Sequence, residues 1–105
     1  MTSKVVRPRA HRDLVDIALY IGEDSPAAGE RFLDAFEYTT ELLLQLPTLG
    51  SLCSVSAPSL RGLRVVTVRG FRNFLILYKS LDKQLEIVRV IHGARDLGTA
   101  VDELE

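Results

Sequence analysis

The chain has 105 residues, of which 47% are apolar and 26% charged, and its formal net charge is −1. This length suits a single domain over residues 1–105 with one core, and the mix is that of a globular protein. It excludes a membrane span, for which about 18 consecutive apolar residues are needed, and, with Cys53 alone, an internal disulfide or a CxxC metal or redox site.

Residues 3–8 read as a short strand that Pro8 ends, because proline has no N–H for a ladder. Ala10, Leu14, Ile17, Ala18 and Ile21 then recur at helical spacing, with Arg12, Asp13, Asp16 and Glu23 on the other side. The charges in this stretch interrupt any secretory signal, so the expected location is cytoplasmic. Ser25 reads as an N-cap and Pro26 as the first residue of a second helix. Its stripe is Phe32, Ala35, Phe36, Thr39, Leu42, Leu43 and Leu46, and Pro47 stops it. Two amphipathic segments so close in sequence predict an antiparallel helical hairpin.

Residues 47–60 are rich in Ser, Gly and Pro and read as a loop. Three β-rich runs follow, Leu63–Arg69, Phe71–Ser80 and Leu85–His92, with Gly70 and Asp82-Lys83 at the turns. In the middle run Phe74, Ile76 and Tyr78 share one face, and Asn73, Leu75 and Leu77 the other. One face is expected on the helices, the second free for a partner. Gly93–Gly98 reads as a short helical turn or irregular segment, and residues 99–105 as a frayed or disordered acidic tail. The expected class is α+β, in the order β-α-α-β-β-β, with an antiparallel sheet packed against the hairpin.

The small net charge hides a polarity. Residues 1–60 carry five basic and eight acidic side chains, residues 61–95 eight basic and two acidic, and the last ten only acidic ones. A basic block of this kind suits an anionic partner, although arginine and lysine also protect exposed sheet surfaces. Within it Arg89 lies among Ile87, Val88, Val90 and Ile91, so its charge must find an internal counter-ion or point outward.

The local wording carries a family resemblance. Asp13-Leu14, Ile17 and Tyr20-Ile21 resemble the first helix of ParE-type toxins, and Ser25-Pro26-Ala27-Ala28 with Arg31-Phe32 their second-helix opening. Leu43, Pro47 and Gly50 are similar to the helix exit, and Leu60-Arg61-Gly62-Leu63 to the entry of the next strand. Ile87, Arg89-Val90, His92, Arg95 and Leu97 resemble the last strand and its exit. In order, these cover nearly the whole chain and place it with the RelE/ParE toxin superfamily, nearer the ParE branch.

The resemblance implies a bacterial toxin that arrests growth, held silent in a hetero-oligomer by a ParD-like antitoxin encoded nearby. It implies DNA gyrase as the target, bound rather than cut, with no cofactor and no metal. Arg61, Arg64, Arg72, Arg89 and Arg95 are then expected to meet the target. Leu19, Tyr20, Arg64, Arg72 and Tyr78 are expected to meet the antitoxin, while Val15 widens the core stripe. The RelE branch supplies an alternative, a ribosome-dependent messenger-RNA endoribonuclease. That chemistry would use His92 or Tyr78 for proton transfer and Arg64, Arg72, Arg89 and Arg95 for the phosphate. Three departures disfavour it: residues 47–60 contain no charged side chain or histidine, no tyrosine follows Tyr78, and the chain is slightly acidic overall.

Overall fold

The computed structural model describes residues 2–54 and 57–104; at Ala94 and Arg95 it describes the backbone alone. Strand β1 (Ser3–Val6) leads into helix α1 (Pro8–Asp24) and helix α2 (Pro26–Gln45). A two-residue strand β2 (Ser51–Leu52) and a 3-10 turn at Pro58–Leu60 precede β3 (Arg64–Val68), β4 (Phe71–Leu81), β5 (Gln84–His92) and helix α3 (Gly93–Leu104).

Proline sets the first boundary in an unexpected way. Pro8 both ends β1 and opens α1, since at the first helical position a missing N–H costs nothing. Ser25 joins the two long helices alone: its N–H donates to the Ile21 carbonyl at the exit of α1 (3.3 Å), and its hydroxyl accepts from the Ala28 N–H at 3.2 Å. The hairpin closes tightly because Gly29 has no side chain. A Cβ there would lie 2.7 Å from the Ala18 carbonyl oxygen of α1.

The sheet order is β1-β5-β4-β3-β2. Strands β2 to β5 pair antiparallel, but β1 runs parallel to β5, from Ser3 opposite Gln84 to Val6 opposite Ile87. The sheet is therefore mixed and not purely antiparallel as expected. A first strand followed by a helical hairpin and a three-strand meander can add to the meander's last strand in this sense.

Each face of the sheet has its own core. Against the hairpin, Ile76, Tyr78, Val68, Phe74, Leu85, Ile87 and Val90 pack on Ala10, Leu14, Phe32, Phe36 and Leu43. Phe32 meets Phe71 and Phe74 edge-on, each at 5.3 Å between ring centres. The opposite face carries Leu63, Leu77, Val88 and Ile91, and α3 covers it through Ala100 with Leu97, Val101 and Leu104. Of the two alternatives held open for the exit and the tail, helical or irregular, the helical one holds: Gly93–Leu104 is one helix of 12 residues. The apolar sheet face expected to await a partner is occupied by the chain itself. No described helix is long and apolar enough to cross a membrane.

Candidate binding surfaces

One buried carboxylate organises the centre. Asp13 was expected on the outer side of α1, yet it is 8% exposed and meets the end of β5. Strand β1 leaves the sheet after Val6, so beyond Ile87 the edge of β5 has lost its neighbour. Asp13 takes over there, accepting from the Val90 N–H at 3.0 Å. It also accepts from Arg89 at 2.7 Å (Nε to Oδ2) and 3.3 Å (Nη2 to Oδ1), a bidentate pair. A register shift in the β4–β5 pairing, where Leu77 faces Arg89 and Tyr78 faces Ile87, leaves Val88 as an extra residue. With that shift, Arg89 meets both helical layers: its Nη1 donates to Glu103 of α3 at 3.2 Å. The Asp13 hydrogen bonds, with both carboxylate charges, raise its pKa above the ordinary arginine value despite burial.

Arg89 is therefore corrected from target contact to internal link; its side chain is only 11% exposed. Tyr78 is corrected likewise. It is fully buried, its hydroxyl donating to the Pro47 carbonyl and accepting from the Gly50 N–H, both at 2.8 Å. Burial pushes its pKa up, with the Gly50 hydrogen bond and the Arg64 charge opposing. Neither a proton-transfer role on a bound RNA nor an antitoxin contact suits a phenol so enclosed. Arg64 shares this turn, donating to the Gly50 carbonyl at 2.7 Å while staying half-buried. Gly50 is required there: a Cβ would meet the Tyr78 hydroxyl and the Val65 carbonyl at 2.7 Å each.

Other expected site residues remain outside. Arg61 and Arg72 are exposed, and neither makes an ion pair among the described residues. The side chain of Arg95 lies outside the described residues. His92 is half-buried, edge-on to Phe74 at 5.1 Å. It lines an open cleft of about 540 Å³ with Asp16, Ile17, Tyr20 and Phe74. Among the described residues no group of three His, Cys, Asp or Glu side chains is placed to hold a metal.

Leu19 and Tyr20 are 66% and 67% exposed, but they serve different hollows. Leu19 joins Ala18, Gly22, Pro26, Gly29 and Leu33 in a mainly apolar groove of about 400 Å³ between α1 and α2. Tyr20 faces the His92 cleft. Val15, expected in the core, is 44% exposed on the same helix. The hairpin thus presents apolar surface on its outer side, the kind a partner helix can cover.

The match to known proteins decides the family. The family model for the ParE toxin of the type II toxin–antitoxin system parDE matches residues 5–97. The chain belongs to the ParE toxin family. A solved structure described as the chromosomal ParDE toxin–antitoxin system from P. aeruginosa has the same fold, with a TM-score of 0.70 at 19% identity. The alignment covers 89% of this chain and 96% of that one. No curated protein sequence matches the chain.

Within this ParE chain, sequence reasoning missed two features. Asp13 was one; its signal was Arg89, a cation inside an apolar strand that demanded a counter-charge. The other is a cluster of Arg31, Tyr38 and Arg69. Its signal was the helical spacing of Arg31, Asp34, Ala35 and Tyr38, which puts four side chains on one face of α2.

Proposed function

We propose that this ParE-family chain arrests bacterial growth by binding DNA gyrase, and that a ParD-like antitoxin encoded beside it neutralises it in a cytoplasmic hetero-oligomer. The observation that carries binding over cutting is the fate of the proton-transfer and phosphate groups. Tyr78 and Arg89, a proton-transfer candidate and a phosphate candidate of the ribonuclease reading, are fixed inside the fold. An acid–base reaction needs such groups within reach of the substrate, whereas a binding inhibitor needs only surface. Arg61 and Arg72 supply exposed cations for an anionic target, with Arg95 and the half-buried Arg64 as the other expected contacts. The apolar interhelix groove at Leu19 and Leu33 suits a helix from the antitoxin.

A supercoiling assay with purified protein and gyrase tests this reading. Progressive loss of supercoiling with added protein, relieved by the product of the neighbouring reading frame, is the expected result. Normal supercoiling at large excess, together with ribosome-dependent cutting of messenger RNA, would transfer the chain to the ribonuclease reading. His92 keeps that alternative testable, because its ring lines an open cleft.

A further inference from the structure

The two edges of the sheet are protected unequally. Edge strand β1 carries Lys4, paired with Glu37, and is followed by Arg7, paired with Glu86. Charges of this kind keep an open edge from pairing with another chain. The opposite edge, β2, lies within residues 47–60, which contain no charged side chain. Leu46, Leu49 and Leu52 at this corner are 56%, 50% and 62% exposed. A turn brings the first two together, the Leu49 N–H donating to the Leu46 carbonyl at 3.0 Å. The Cys53 N–H donates inward, to the Leu63 carbonyl at 2.8 Å. Antiparallel alternation therefore turns the N–H and carbonyl of Leu52, opposite Arg64, away from β3. Cations bordering the edge are folded back, Arg64 onto the Gly50 carbonyl and Lys79 onto the Ser59 carbonyl.

We propose that β2 is the contact through which two copies of this chain pair, about a two-fold axis at Leu52. The two Leu52 residues then oppose one another and exchange both backbone hydrogen bonds, so that the two sheets become one. Their side chains share a face, flanked by Leu46 and Leu49 of each copy. A strand of two residues supplies few hydrogen bonds, so most of the attraction comes from covering these leucines. The absence of charge selects the occupant. A two-fold axis sets each side chain near its own counterpart, where a charged edge would repel itself. A different protein is commonly steered by opposite charges, which this edge lacks. The interhelix groove at Gly22, Pro26 and Gly29 lies at the far end of α2 from Leu46 and stays open in the pair.

Sedimentation equilibrium of the full chain over a range of concentrations tests the pairing. A monomer–dimer equilibrium is expected, with a dissociation constant of roughly micromolar order for so small a contact. The double variant L49K/L52K should raise that constant roughly a hundredfold or more, because leucine burial is lost and cations face one another. Leu19→Asp, on the hairpin, should leave it unchanged. Circular dichroism melting that matches the parent establishes that each variant is folded. A second measurement reads the register. In a Cys53→Ser background, Leu52→Cys should form a disulfide-linked dimer on mild oxidation, since opposed residues of a hydrogen-bonded pair lie about 5.5 Å apart. Val15→Cys in the same background should not. A chain that stays monomeric throughout would overturn the proposal, as would a dimer that survives L49K/L52K but is lost in Leu19→Asp. A dimer in which Leu52→Cys fails to cross-link would also overturn it. None of these outcomes depends on the supercoiling assay.

Discussion

The two faces of the sheet are built to different standards. The hairpin face buries Phe32, Phe36 and Tyr78 completely and stacks rings edge-on, whereas the α3 face is aliphatic and covered by a single helix of 12 residues. An ion pair between Arg89 and the half-exposed Glu103 joins α3 to the sheet. The contrast teaches that stability is concentrated under the hairpin. The polar link between the layers runs through Asp13 and Arg89, the second of which the family resemblance had assigned to the target.

The largest expected effect lies in the hairpin core. Phe32→Ala should cost about 3–5 kcal/mol, against about 1–2 kcal/mol for Leu97→Ala on the half-buried side of α3, measured by chemical denaturation. Equal losses would break the comparison. Next comes the link between layers. Asp13→Asn keeps the volume but leaves the largely buried Arg89 guanidinium with Glu103 alone, at a cost of about 2–3 kcal/mol. A smaller value would mean that the pair contributes geometry and little stability.

The smallest effect belongs to the turn latch. Tyr78→Phe removes a hydroxyl that serves both Pro47 and Gly50, for about 1–2 kcal/mol. It also sharpens the pH dependence. With the folded pKa raised above the unfolded value of 10.0, the protonated phenol favours the fold below that value. This share of stability declines as pH rises from there through the folded pKa. Denaturation of Tyr78→Phe at increasing alkaline pH should lack that decline. If the variant declines as the parent does, other groups cause it.

The two long helices were legible because their apolar residues recur at helical spacing and because Ser25-Pro26 marks a boundary chemically. The meander was legible through Gly70 and the Asp82-Lys83 turn; Gly70 and Lys83 do carry positive φ. Helix α3 was hidden because Gly93 and Gly98 interrupt it and its few apolar residues gain meaning only against Leu77 and Val88. Parallel pairing of β1 was hidden because a four-residue strand carries no mark of its direction. For the binding surfaces, composition located the arginines but could not sort them. Arg89 and Arg72 both lie in the basic block, and only the position of Asp13 on the neighbouring helix separates a structural cation from an exposed one.

The most direct test of binding without chemistry is gyrase supercoiling titrated with the His92→Ala protein alongside the parent. The account predicts inhibition at the same protein concentration for both, since the imidazole has no proton to move in a binding inhibitor. If the parent has no effect on gyrase but cuts messenger RNA on ribosomes, and His92→Ala abolishes that cutting, the central claim is contradicted.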